Sequence, residues 1–251
     1  AFDEYVSRVT SDGGKIIDPA RTLADIEFIY SQGLLGKLGC MVSASYGVKR
    51  SANDVSVAYS IDGVDLFNVT TGVCPPVQID TSGLPVFIAQ RVTSARFSFL
   101  RSVEKIKPAL MGRLGVAVIS EPGATVESFF AIAGGLNSGQ NSSAMQLRRS
   151  STGVTAHALT VAGIQTITEG RFGADPNGGS GYCAFIDTNQ DVFRTSRDGA
   201  EVSVTWSTTS LSDIYNTSSQ YLCMLGVENS SGVSVNQGAK GHLLWYFVDL
   251  T

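Results

Sequence analysis

From about Val42 to the C-terminus, apolar residues recur at every second position in short runs. A period of two places alternate side chains on the two faces of an extended strand, whereas a helix repeats near 3.6. The runs lie at 55–61, 66–70, 86–90, 96–101, 113–120, 128–133 and 145–150, and then at 154–162, 165–173, 182–187, 191–195, 201–207, 221–227 and 242–250. Gly, Asn, Asp, Ser and Pro separate them, as at Asp62-Gly63, Pro122-Gly123, Pro176-Asn177-Gly178-Gly179 and Asp198-Gly199. Many short strands at near-even spacing predict a mainly β, antiparallel sandwich. No repeat of fixed length runs through them, which argues against a propeller or solenoid.

The first forty residues follow another period. Phe2, Tyr5, Val6 and Val9 fall at i, i+3, i+4 and i+7, the stripe of one helix face. Gly13-Gly14 stops it, because glycine takes the left-handed conformation that closes a helix. Asp18-Pro19 supplies an N-cap and a first-turn proline for a second helix. Leu23, Ile26, Ile29 and Tyr30 continue along one face, and Gly33 ends it. The expected organisation is a helical segment over 1–40, serving as anchor or packing arm, and a β-sandwich over 41–251. The stripes need a surface to cover, either the sandwich or another subunit. Phe2, Tyr5, Val6, Val9, Leu23 and Ile26 are therefore the candidate protein-interface residues. The segment 102–110 reads as a helical turn broken at Pro108.

Charge bounds the function. Only 16% of residues are charged, against about 25% in an average domain. A surface poor in charge suits strands and turns, and suits a protein covered by partners. The net charge is −4, and the basic pairs Lys49-Arg50, Lys105/Lys107 and Arg148-Arg149 are short and lack aromatic stacking platforms. No nucleic-acid partner is expected. No apolar run approaches the roughly 18–20 residues of a membrane span, and the acidic N-terminus does not read as a signal peptide.

Cys40, Cys74, Cys183 and Cys223 form no CxxC pair, and His157 and His242 share no ligand spacing with them, so neither metal nor cofactor is expected. Each cysteine sits in an apolar run and reads as a small buried hydrophobe; the even count leaves disulfides open. Asn68, Asn141, Asn216 and Asn229 begin Asn-x-Ser/Thr triplets and read as turn chemistry.

Asp187-Thr188-Asn189-Gln190-Asp191 has the spacing of a calcium loop, with Asp198 at the twelfth place. Such a loop wants Gly sixth and Glu twelfth; here stand Val192 and Asp198, so a hairpin turn is the better reading. His157 or His242 would serve as a base, yet no nucleophile elbow accompanies them. Glu121, Glu127, Asp187 and Glu201 have only residue type to recommend them as catalytic pairs. No enzyme activity is expected. Trp206 and the Trp245-Tyr246-Phe247 run are the richest aromatic signals. The last strand is apolar on both faces, so it is buried on both, inside the fold or under a partner. The alternative use of aromatics is stacking on sugars, with the loops 134–143 and 174–180 and Tyr182 or Trp206 as the candidate carbohydrate-binding residues.

Tyr5-Val6-Ser7-Arg8-Val9 with Asp12-Gly13-Gly14, then Ile61-Asp62-Gly63-Val64-Asp65-Leu66, Pro76 and Gly83-Leu84-Pro85, form a recognisable series. It resembles the tailed-phage virion proteins that carry a concanavalin A-like, laminin-G-type sandwich. The likeness is clearest over residues 1–100. It implies a concanavalin A-like jelly roll. It also implies a virion structural protein of tail, baseplate, fibre or head decoration, made in the host cytoplasm. The partners it implies are other virion proteins and further copies of the chain as a homo-oligomer. Members resemble lectins in fold without always binding sugar, which leaves a cell-surface glycan as the alternative partner.

Overall fold

A computed structural model describes residues 1–93, 96–104, 113–120, 129–135, 143–150, 153–158, 170–171, 181–187, 192–206, 221–229, 232–234 and 240–248. All strand pairs in it are antiparallel. One ladder runs through β1 (Lys15–Ile16), β3 (Gly47–Ser51), β4 (Asp54–Ala58), β5 (Leu66–Thr70) and β9 (Arg96–Ser102). It continues through β18 (Leu222–Met224), β11 (Phe129–Gly135), β12 (Ser143–Ser150), β13 (Gly153–Ala158) and β14 (Gly170–Arg171). The other runs through β2 (Leu38–Ser43), β21 (Lys240–Val248), β10 (Arg113–Ser120), β15 (Gly181–Asp187), β16 (Val192–Arg197) and β17 (Ala200–Trp206). Strands β6 (Gln78–Asp80) and β7 (Val86–Ile88) stitch the two together, because β6 pairs with β4 and β7, and β7 pairs with β21. The result is one large curled sheet whose two halves face each other.

Residues of both halves fill the space between them. Val55, Leu66 and Phe99 from one ladder and Val42, Val116, Leu244 and Tyr246 from the other belong to a single apolar cluster. A second cluster lies on the outer face of β2 and β21, under the helices α1 (Phe2–Ser11) and α2 (Pro19–Ser31). Tyr5, Val9, Ile26 and Ile29 pack there on Met41, Tyr46, Val57 and Tyr59. Strand β2 thus buries Val42 inward and Met41 outward, and β21 buries Leu244 and Tyr246 inward while Trp245 packs under the helices. The doubly apolar last strand is covered on both faces within this chain.

Both helices end as the sequence predicts. Gly13 and Gly33 have φ of +80° and +64°. In each case the two amides beyond the cap bond back into the last turn: Gly13 to Thr10 and Gly14 to Val9, Gly33 to Tyr30 and Leu34 to Ile29. This double closure is the Schellman motif. Asp18 caps α2 by accepting from the Arg21 amide at 3.0 Å.

The structure departs from the sequence reading in several places. The first forty residues also hold β1 and the start of β2. In α2, Leu23 and Tyr30 are 38% and 71% exposed. The buried face carries Thr22 and Asp25 beside Ile26 and Ile29. Those polar groups tolerate burial because they are bonded: Thr22 donates to the Asp18 carbonyl at 2.7 Å, and Asp25 accepts from Tyr46 Oη and Arg21 Nε, both at 2.8 Å. Cys40 and Cys223 are buried, but Cys74 is half-buried and Cys183 exposed, and none is in a disulfide. Cys183 alternates with the inward Tyr182 and Ala184, so its side chain faces out. Asn68 lies within β5 rather than in a turn. In the expected helical turn over 102–110, Ser102 ends β9 and Val103 and Glu104 form a bend, while 105–110 lie outside the described residues, as do most of 165–173 and the loop residues 136–142 and 174–180.

Candidate functional site

Two polar constellations meet at the β3–β4 hairpin. The first clasps α1 to the sheet. Tyr5 Oη donates to the Tyr59 carbonyl at 3.0 Å and accepts from the Gly47 amide at 2.9 Å. Burial pushes its phenol well above the usual range, so it serves as a neutral bridge. Arg8 lies between the Tyr5 and Tyr59 rings, 5.6 and 5.7 Å from their centroids, and pairs with Asp65 at 2.7 Å. It also donates to the Ser60 carbonyl. Asp12 accepts from the Tyr59 hydroxyl and from Lys49 Nζ at 3.2 Å. The Tyr59 hydrogen bond, with that from Lys49, holds the Asp12 carboxyl below the usual carboxylate range.

The Asp62–Asp65 turn builds the other side of this clasp. Asp65 accepts from the Ser60 amide at 2.7 Å, and Asp62 accepts from the Gly36 amide at 2.6 Å. Gly63 has a φ of +78°, and a Cβ there would fall 2.3 Å from the Gly39 carbonyl carbon. Only glycine lets the two backbones approach so closely. The two motifs of the virion resemblance, Arg8 from the first and Asp62 to Asp65 from the second, therefore touch in space.

The second constellation is an open groove of about 480 Å³ beside the same hairpin. Lys49, Arg50 and Ser51 of β3 line it, opposite Asp54 and Ser56 of β4, with Asn68 of β5 at one end. Val55 and Pro76 add apolar surface. A regular strand would send Lys49 and Arg50 to opposite faces. Here Lys49 pairs with Val57 but Arg50 with Val55, so Ser56 is an extra residue in β4. The bulge re-aims the side chains of β4, sending Val55 into the inner cluster and Val57 under the helices. Strand β3 keeps its alternation, so Arg50 shares the face of Val55 while Lys49 shares that of Val57, towards Asp12. Ser56 Oγ fastens the bulge by donating to the Lys49 carbonyl at 3.0 Å. At the hairpin tip Ala52 has a φ of +52°.

The polar groups of the groove differ in how far they are committed. Asp54 accepts from Gln78 Nε2 at 3.3 Å, and Asn68 Oδ1 accepts from the Val77 amide at 2.8 Å, leaving its N–H donors. Lys49 shares its charge with Asp12. Arg50 is exposed and has no ion pair or side-chain hydrogen bond among the described residues. The groove thus offers a guanidinium, a carboxylate, hydroxyls and an amide beside the apolar surface of Val55 and Pro76, the combination of apolar lining and a few polar groups that orients a bound ligand.

The residues singled out from sequence are dispersed. Tyr5, Val9 and Ile26 are buried in this chain's own second cluster, with Phe2 packed at its edge and Val6 half-buried; Leu23 faces out. Tyr182 is 1% exposed. Its ring fills the space between the sheet halves and presents no face to a sugar, because β15 turns residues 182 and 184 inward. Trp206 ends β17, and its side chain lies outside the described residues. His242 is buried with Nδ1 2.6 Å from the Pro85 carbonyl oxygen, a structural contact. Asp187 is buried at the end of β15, whereas Asp198 and Gly199, both at positive φ, form a two-residue hairpin between β16 and β17. Among the described residues no three His, Cys, Asp or Glu side chains gather for a metal. No described helix is long and apolar enough to cross a membrane.

No family model matches the chain, and no curated protein matches it in sequence. Solved structures do. The binding domain of botulinum neurotoxin serotype D aligns at a TM-score of 0.54 and 9% identity, over 85% of this chain and 48% of that one. The chain has the concanavalin A-like fold. Trypanosoma rangeli sialidase, in complex with a 2,3-difluoro-KDN inhibitor, aligns at 0.52 and 10% identity, over 86% of this chain and 31% of that one. The CBM40 module of Ruminococcus gnavus IT-sialidase, bound to α2,3-sialyllactose, aligns at 0.44 and 12% over 56% and 77%. The chain spans about half the length of the neurotoxin domain and under a third of the sialidase. None of the three is a virion protein.

Proposed function

We propose that this chain is a non-enzymatic, lectin-like receptor-binding module that recognises cell-surface carbohydrate. The observation that carries the reading is the open groove at the β3–β4 hairpin, where Arg50, Ser51, Asp54, Ser56 and Asn68 line one surface. An open groove whose apolar lining is edged by charged and polar side chains suits a glycan chain, which carries apolar ring faces and exposed hydroxyls together. The fold supports the reading as analogy only, since one fold hosts many functions. The virion setting, as an attachment component of a phage particle, rests on the resemblance of the Tyr5–Val9 and Asp62–Asp65 motifs. The test is binding of the labelled protein to a panel of immobilised bacterial surface polysaccharides. Saturable binding that free polysaccharide competes away is expected. Absence of binding to every member, at concentrations where weak sites fill, would overturn it.

A second reading has its own observation. Leu23 and Tyr30 of α2 and Leu35 beyond it are exposed, and the half-exposed Phe28 stacks on Trp245 with ring centroids 6.4 Å apart. An apolar surface of this kind suits packing against other proteins, as a virion structural component present in many copies would require.

A further inference from the structure

We infer that the groove at the β3–β4 hairpin selects acidic glycans, with the Arg50 guanidinium as the group that reads a sugar carboxylate. The inference rests on the carbohydrate-binding reading above and deepens it. Three observations lead to it. Arg50 is exposed and lies within ion-pair distance of no carboxylate among the described residues, although Asp54 lines the same groove. Asp54 is instead turned to the Gln78 amide. The Asn68 amide and the Ser51 hydroxyl line the same groove as further donors.

The chemistry follows from charge and shape. A guanidinium presents two parallel N–H donors that match the two oxygens of a carboxylate, and a charge-assisted pair of that kind is about twice as strong as a neutral hydrogen bond. A neutral sugar would leave Arg50 in water and gain only the hydroxyl contacts. An acidic residue in the glycan would use the Arg50 fork while its hydroxyls met Asn68, Ser51 and Asp54. The groove is open, so the pair would be partly solvated and its strength would fall with salt.

The experiment uses acidic polysaccharides immobilised in native form and after carboxyl reduction, which converts each uronate to the corresponding neutral hexose without altering linkages. Neutral polysaccharides complete the panel. The protein and its Arg50→Ala and Arg50→Gln variants are compared, with thermal melting as the control for folding. Arg50 is exposed and has no ion pair among the described residues, so both variants should melt with the parent. The expected result is binding to native acidic chains that falls about tenfold or more on carboxyl reduction, and by a similar factor in both variants. Equal binding to native and reduced chains would overturn the acidic selection and leave the carbohydrate reading standing. Preference for the native chains that both variants retain would overturn the assignment to Arg50. Failure to bind any polysaccharide, acidic or neutral, would remove the carbohydrate reading and this inference with it.

Discussion

The Arg8 guanidinium on α1 and the Asp65 carboxylate meet at 2.7 Å across 57 residues of chain. They join the helix to the turn that opens the sheet. The pair is partly exposed, so solvent screens it, and its coupling should be modest, about 0.5–1 kcal/mol in a double-mutant cycle. Arg8→Ala alone should cost more, about 1–2 kcal/mol, because it also removes the Ser60 hydrogen bond and the packing over Tyr5 and Tyr59. Denaturant melts of Arg8→Ala, Asp65→Ala and the double variant measure both quantities. A coupling near zero would mean that Arg8 acts through packing alone.

The closeness of α1 to the sheet depends on Gly47. A Cβ there would lie 2.6 Å from Val9 Cγ2 and 2.9 Å from Tyr5 Oη. Gly47→Ala must push the helix away or displace Val9, at a cost of about 1–3 kcal/mol. Gly83→Ala is the control, because a Cβ there meets nothing within 4 Å, and it should stay within about 0.5 kcal/mol of the parent. Thermal or denaturant melting decides it; equal stability of the two variants would show that the helix slides freely on β3.

The uneven legibility of this fold in its sequence has physical causes. Helix caps are local chemistry, so Asp18-Pro19, Gly13 and Gly33 announce their positions. Strands that bury one face announce themselves by alternation, and β5 and β10 fall at 66–70 and 113–120 as that pattern predicts. Strands β1, β3 and β6 (KI, GVKRS, QID) are short, charged or Gly-containing and carry no alternation; partners distant in sequence hold them. The groove is hidden for a related reason. Lys49-Arg50 reads as a short basic pair, and only the pairing register reveals the bulge in β4 that sets Val55 beside Arg50 and Val57 beside Lys49. Tyr182 fails in the opposite sense: its strand is legible, but residue type alone does not say which face of β15 turns inward.

The β16–β17 hairpin makes a separate prediction. Asp198 and Gly199 have φ of +50° and +82°, the two positive values a type I′ turn requires. Asp198 Oδ1 also accepts from the Gly181 amide at 2.8 Å, tying the turn to the start of β15. Asp198→Ala loses both the side-chain acceptor and a residue tolerant of the left-handed region, and should cost about 1–2 kcal/mol. Asp198→Asn keeps both and should be close to neutral. If both variants lost stability equally, charge rather than turn geometry would be the cause, as a contact with Arg197 at 3.9 Å would allow.

Acid should loosen α1 from the hairpin. The Asp12 carboxyl is held below its ordinary value by the Tyr59 hydroxyl and Lys49. A depressed carboxylate adds stability that is full above its unfolded-state pKa, about 3.9, and is lost as pH falls through the lower folded-state value. Amide exchange of α1 should therefore speed up relative to the sandwich as pH falls below about 4. Asp12→Asn should flatten that difference. An α1 whose relative protection stays constant down to the acid transition of the whole chain would contradict the linkage.

The same carboxylate competes with any anionic ligand for Lys49. Lys49 borders the groove, but its Nζ lies 3.2 Å from Asp12 on the face opposite Arg50, so its charge is held by the helix until Asp12 is removed. Asp12→Asn removes the internal competitor while keeping a side chain that accepts from Tyr59. Affinity for native acidic polysaccharide should rise several-fold, and affinity for its carboxyl-reduced form should not change. Lys49→Met should cancel the gain, since the released ammonium is its source. Calorimetric titration of the parent and these variants at low salt resolves the outcome. An Asp12→Asn variant with unaltered affinity would mean that Lys49 stays with the helix, leaving Arg50 alone to meet the ligand.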